Sequence, residues 1–258
     1  MAKETTPNFL FNAIRDQTDL YTPLNIRGKA PVLTTAATPA TVWDGNNLYI
    51  FPASANWEIV SDSANDTGAG TGVQTVEIEF LDNDCNQLGS EGITTVTLNG
   101  LTPVAITEVD GAKRCNSLVA ISSGSLNTNE GTITVREVGN PTNIIAQMNP
   151  STSNAMPGFY TVPNGFVLYV KDITISSNRG GTGGGDREAD VDIVIFEEGG
   201  NTARLVLSQN ISQFHNFAIS VAVPLLIKAK TDIQFVVTNL ETNNTEITCL
   251  MLGLLERL

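Results

Sequence analysis

The chain has 258 residues, 41% of them hydrophobic and only 16% charged, with 27 acidic against 14 basic side chains and a formal net charge of −13. This length accommodates one large or two small β domains, and the apolar fraction suffices to bury a core without cross-links. Dispersed lysines and arginines in an acidic chain exclude a nucleic-acid binder, because phosphate affinity comes from clustered basic groups that release counterions. No run reaches the ~18 apolar residues of a membrane span, so neither nucleic acid nor membrane is an expected partner.

In chain order, residues 1–42 read as an extended N-terminal arm. A short helix is expected after Thr6-Pro7, where threonine can cap and proline suits the first turn. Phe9, Leu10, Ile14, Leu20 and Tyr21 make the segment adhesive and are its candidate interface residues. Beyond them Pro23, Pro31 and Pro39 discourage both helix and central strand. The start of the chain lacks the apolar stretch of a signal peptide, which leads to the expectation of a protein made and kept inside a cell.

Residues 43–150 are expected to form a first antiparallel β-sandwich, with strands at 48–51, 57–60, 73–80, 93–98, 117–122, 132–138 and 143–148. The alternation is plainest at Val76, Ile78 and Phe80, which face a core while Glu77 and Glu79 face water. Residues 151–258 are expected to form a second sandwich or jelly roll, with strands at 159–162, 166–177, 189–196, 203–208, 217–223, 233–239 and 245–254. Pro163-Asn164-Gly165 and the 198–201 segment, Glu-Gly-Gly-Asn, are turn signals. Residues 150–157 read as a linker, and one continuous sandwich is the alternative. The fold class is all-β.

Few side chains are candidates for chemistry. His215 is the one histidine, so no zinc or hydrolytic constellation can be completed around it, and a core or interface role is expected. Cys85, Cys115 and Cys249 have no metal-binding or redox spacing and are expected as free thiols. Asp82, Asp84 and Asn86 begin like a calcium loop, but the sixth position is Gln87 and the twelfth Ile93, where glycine and glutamate would be needed. Asp186, Glu188, Asp190 and Asp192 alternate along a strand, which suits a solvent face or an intersubunit contact. The glycine-rich run 180–185 is followed by neither Lys-Ser/Thr nor a helix, so it reads as a loop rather than a phosphate cradle. No catalytic, cofactor-binding or metal-binding residue is expected.

Four stretches carry a resemblance. Ser61-Asp-Ser-Ala-Asn-Asp-Thr-Gly-Ala-Gly-Thr-Gly-Val-Gln-Thr-Val76, Glu91-Gly-Ile-Thr-Thr-Val-Thr-Leu-Asn-Gly100 and Asn129-Glu-Gly-Thr-Ile-Thr-Val135 are similar to segments of virion structural proteins of tailed bacteriophages. Phe159-Tyr-Thr-Val-Pro-Asn-Gly-Phe-Val-Leu-Tyr-Val170 resembles the opening of their β domains. The resemblance implies a non-enzymatic virion component assembled in the host cytoplasm: a capsid decoration or cement protein whose main partner is the major capsid protein. It also implies a homo-oligomer, a trimer by analogy. A tail adaptor or fibre component is the alternative, and a carbohydrate-binding β-sandwich using Trp43, Trp57 or Tyr160 as sugar platforms is a third reading.

Overall fold

The computed structural model describes residues 20–87, 92–107, 111–180, 188–198, 202–212 and 216–258, with the backbone alone described at 221 and 222. Short alternating runs punctuated by turn residues produce strands along most of this length, and every ladder is antiparallel. The chain is all-β. Among the described residues no helix is long and apolar enough to cross a membrane. The helix expected after Thr6-Pro7 lies outside the described residues.

The strands are β1 (Tyr21–Leu33), β2 (Ala40–Thr41), β3 (Trp57–Ser61), β4 (Val73–Leu81), β5 (Ile93–Thr97), β6 (Val104–Ile106), β7 (Arg114–Ser123), β8 (Ile133–Glu137) and β9 (Asn140–Met148). They continue with β10 (Phe159–Thr161), β11 (Phe166–Arg179), β12 (Ala189–Phe196), β13 (Arg204–Ile211), β14 (Asn216–Ile227), β15 (Asp232–Leu240) and β16 (Thr245–Arg257). The expected strand at 48–51 forms no ladder, although Tyr49 is buried at a junction described below.

One unit is a jelly roll. Its two facing sheets have the orders β1-β16-β11-β14 and β10-β15-β12-β13. Read in chain order, the first of its eight strands pairs the last, the second the seventh, the third the sixth and the fourth the fifth. This is one long hairpin wound so that successive pairs fall alternately in the two sheets, the arrangement of double-sheet jelly rolls. Between the sheets Ile26, Leu33, Val170, Ile175, Ile193, Phe235, Ile247 and Met251 form one apolar cluster. The alternation Ala189, Val191, Ile193 and Ile195 inward on β12 supplies the expected period of two.

The other unit is a sandwich of sheets β6-β3-β8-β9 and β5-β4-β7, with Trp57, Ile59, Val76, Ile78, Phe80, Leu118, Ile133 and Ile145 between them. On β4 the inward positions are Val76, Ile78 and Phe80, as their alternation with Glu77 and Glu79 predicts.

The described part of the expected arm is no arm. β1 pairs β16 along most of its length, and Ile26, Ala30, Leu33, Ala40 and Val42 belong to the jelly-roll core. The prolines sit where the fold tolerates them. β1 is an edge strand, where a missing amide donor is tolerated, and Pro31 falls in the register irregularity between Ala30 and Leu33. Residues 20–42 therefore belong with the second unit.

The sandwich is inserted inside one strand of the jelly roll. β2 pairs β15 through Val236 and Val237, while β10 pairs the same strand through Asp232, Ile233 and Gln234. At the break, the Val42 amide donates to the Phe235 carbonyl (2.9 Å) and the Phe235 amide donates to the Gly158 carbonyl (3.0 Å). One residue of β15 thus bonds both the departing and the returning chain, and residues 43–157 lie between. Glycine is required here. Gly158 has φ +57° and a Cβ on it would lie 2.0 Å from the Val42 oxygen, while one on Gly28 would lie 2.3 Å from the same atom.

Candidate interaction site

The two units meet across the outer face of β15 and β10. Arg114, at the start of β7, reaches over and donates Nε to Asp232 Oδ1 (2.9 Å) and Nη2 to Oδ2 (2.7 Å), the bidentate geometry that a guanidinium and a carboxylate share. Its Nη1 donates to the Pro52 carbonyl (2.6 Å), and its guanidinium lies 5.0 Å from the centre of the Phe51 ring. Both charged residues are buried. Burial disfavours the guanidinium charge, but the bonds and the charge of Asp232 outweigh it and hold Arg114 above its ordinary pKa.

Beside this pair Asn116 donates to the Thr161 carbonyl (2.9 Å) and accepts from the Thr161 amide (3.0 Å), so a side-chain amide stands in for a neighbouring strand along β10. Tyr49 stacks on Phe159 at 3.9 Å, with Trp43 and Phe51 edge-on or tilted around them. On the departing chain Asp44 accepts from two groups of the returning one, the Met156 amide (2.8 Å) and Asn149 Nδ2 (2.9 Å). Burial pushes the Asp44 carboxyl up to about 6, against these bonds and the charge of Lys29. The expected linker at 150–157 is accordingly fastened: Ala155 donates to the Leu118 carbonyl, and the Thr152 and Ser153 amides donate to Asn129 Oδ1.

A cleft of about 730 Å³ opens beside this junction, lined by Leu20, Pro23, Phe166 and Leu258 of the jelly roll and by Gln87 and Ile93 of the inserted unit. Leu20, half-buried, is the first described residue and sits on its wall. Tyr21 does not remain available to an outside partner: it is buried, and its hydroxyl donates to Glu256 Oε1 (3.0 Å) within its own sheet. Phe9, Leu10 and Ile14 lie outside the described residues, as do His215, Asp186 and the glycines of 181–185.

The other sequence candidates have structural work. Asp82 Oδ1 accepts from the Asp84 and Asn86 amides (both 2.8 Å), a self-closed turn that uses the carboxylate as a fold element. Asp190 accepts from Asn210 (2.8 Å) and Asn239 (3.3 Å) on the two flanking strands. The three thiols are free and buried, and burial pushes Cys115 up to about 12. Trp43, Trp57 and Tyr160 are 2%, 1% and 4% exposed, so none can serve as a sugar platform.

Three of the stretches that carry the sequence resemblance, 61–76, 91–100 and 129–135, converge on two buried polar hubs that no local pattern announces. Asp66 is fully buried and accepts four bonds: from the Val73 and Glu130 amides on Oδ1, and from Ser61 Oγ and the Gly131 amide on Oδ2. Its own carbonyl accepts from the Gly100 amide. Asn129 donates to the Gly131 and Asn149 carbonyls and accepts from Thr152 and Ser153. These motifs fasten loops.

No family model and no curated protein matches the chain. Among solved structures, 78% of the chain is similar, at 9% identity and a TM-score of 0.23, to 29% of the chain of the Clostridium thermocellum endo-1,4-beta-D-xylanase 10B CBM22-1 and GH10 modules complexed with xylohexaose. The chain thus spans under a third of that xylanase chain. It is also similar to the Gt strain of infectious bursal disease virus, at 12% identity over 98% of this chain and 83% of that one, with a TM-score of 0.20. Infectious bursal virus derived T=1 particles match at 12% identity over 93% and 75% of the two chains, again with a TM-score of 0.20. Likenesses at these scores carry no argument.

Proposed function

We propose that this chain is a non-enzymatic virion structural protein of a tailed phage, a capsid decoration or cement protein whose main partner is the major capsid protein. The observation that carries the reading is the hairpin-wound pairing of all eight jelly-roll strands, an architecture shared by viral capsid and lectin domains. The side-chain evidence supports the shell rather than the lectin branch, since the candidate sugar platforms are packed inside. The bidentate Arg114–Asp232 pair joins the two units through buried polar contacts, as suits a rigid spacer. The docking segment in this reading is residues 1–19, which carry Phe9, Leu10 and Ile14; the next residue, Leu20, sits on the wall of the cleft.

The test is quantitative mass spectrometry and electron microscopy of purified particles carrying the full chain or a chain lacking residues 2–19. Many copies spread over the shell, lost on deletion while the isolated protein stays folded, support the reading. A few copies at one vertex would assign the protein to the tail, and absence from particles would refute a virion role.

A further inference from the structure

The chain contains two Asn-Gly dipeptides, Asn99-Gly100 and Asn164-Gly165. Such a pair can rearrange without an enzyme: the glycine nitrogen attacks the asparagine side-chain carbon, and glycine has no side chain to hinder the approach. The fold treats the two differently. The Gly100 amide donates to the Asp66 carbonyl (2.8 Å), and the Asn99 carbonyl accepts from the Thr102 amide (3.1 Å). Gly100 is buried, so the nitrogen that would attack is both occupied and enclosed by the hub at Asp66.

Asn164 and Gly165 are the two central residues of a β-turn closed by the Phe166 amide, which donates to the Pro163 carbonyl (3.2 Å). Gly165 has φ +79°, the left-handed conformation that a type II turn demands of its third residue, and the amide between the central residues takes no part in the closing bond. Both residues are exposed, and among the described residues the Gly165 amide has no partner. A Cβ on Gly165 would meet nothing within 4 Å, so a ring has room to form there.

The same asparagine fastens the inserted unit to the jelly roll. Its amide donates to the Cys85 carbonyl (2.7 Å) and its Nδ2 to Asn86 Oδ1 (2.8 Å). Asn86 is oriented in turn by Asp82, whose Oδ2 accepts from Asn86 Nδ2 (3.1 Å). Turning the Asn86 amide over would lose that bond.

We propose that Asn164 is a site of spontaneous deamidation that loosens the contact between the two units. The Gly165 nitrogen bonds to Asn164 Cγ, the Cγ–Nδ2 bond breaks, and ammonia leaves with the proton that the Gly165 nitrogen gives up. Water then opens the succinimide at either carbonyl, yielding aspartate or isoaspartate. Aspartate sets a carboxylate oxygen against Asn86 Oδ1 where a donor stood, leaving two acceptors face to face. Isoaspartate instead lengthens the main chain between the amide that bonds Cys85 and the Gly165 carbonyl, which accepts from Leu258 (2.8 Å). The inference is independent of the virion reading, because it concerns the isolated chain.

Peptide mapping of the full chain after incubation in the folded state, with isoaspartate methyltransferase as the probe for the rearranged product, tests it. Both acids should accumulate at position 164 at least about tenfold faster than at position 99, a barrier difference of about 1.4 kcal/mol. In unfolding concentrations of urea the two rates should converge, since the fold no longer shields Gly100. Asn164→Asp should lower the urea midpoint and speed hydrogen exchange at the residue-164 amide. An unmodified Asn164, conversion at Asn99 as fast or faster, or a rate ratio that unfolding leaves unchanged would overturn the site. Asn164→Asp with either the wild-type midpoint or wild-type exchange would overturn its effect on the units.

Discussion

Replacing Arg114 with methionine tests whether the two units are held by their buried ion pair. The substitution keeps the length of the side chain but removes both bonds to Asp232 and the bond to the Pro52 carbonyl. Asp232 is then left 8% exposed, with Thr161 Oγ1 as its remaining side-chain donor. Removing one partner of such a pair costs about 3–5 kcal/mol because the other charge stays buried, a large share of the about 5–15 kcal/mol by which a domain is stable. Urea unfolding followed by tryptophan fluorescence reads it well, since Trp43 belongs to the junction cluster and Trp57 to the core of the inserted unit. Adding Asp232→Asn to Arg114→Met should recover part of the loss, because the stranded charge is gone, and the double-mutant cycle gives the coupling directly. A single-variant loss under about 1 kcal/mol, the size of an exposed pair, would refute the view that this contact fastens the units.

Asp66→Asn should destabilise the chain by about 1–3 kcal/mol, because an amide nitrogen cannot accept the bonds that one carboxylate oxygen now takes; thermal melts of the folded variant check it. Asp44 has an ordinary value of 3.8 and a folded value of about 6. The folded state therefore keeps a proton that the unfolded state releases, and stability falls by about 3 kcal/mol as pH rises across that window. Asp44→Asn should flatten this dependence, seen as urea midpoints that no longer drop between about pH 4 and about pH 7. Gly158→Val should prevent folding into the soluble form, since a Cβ there meets the Val42 oxygen at 2.0 Å in a backbone conformation with φ +57°; a soluble variant with an unchanged melt would contradict the split-strand account.

What could be read in advance was whatever depends on neighbours in sequence. The alternation of Val76, Ile78 and Phe80 located β4, and the Pro163-Asn164-Gly165 turn located the hairpin-like entry to β11. Both are period-two or turn signals that survive folding unchanged. β1 is not legible in its sequence, because proline reports a lost donor without reporting whether that donor faces a partner or open space. The pairing of Arg114 with Asp232 spans 118 positions, and the hub at Asp66 collects donors from positions as distant as Gly131. Neither has a spacing rule. Three of the five candidate interface residues lie outside the described residues. Tyr21 was misplaced for the same reason as β1: an aromatic in a supposed arm looks adhesive until its partner, Glu256, is brought beside it from the other end of the chain.

The split strand fixes an order of events during translation. Residues 43–157 are complete and able to collapse into their sandwich well before the jelly roll has all its strands. β1, made earlier than any of them, has its ladder in β16, which ends at Arg257, the penultimate residue. At about 5–20 residues per second on the ribosome, its edge waits roughly 5–20 s for that ladder after the sandwich is finished. The oldest strand of the jelly roll is thus the last to be satisfied, and a nascent-chain chaperone would find its longest-lived target at Tyr21–Leu33.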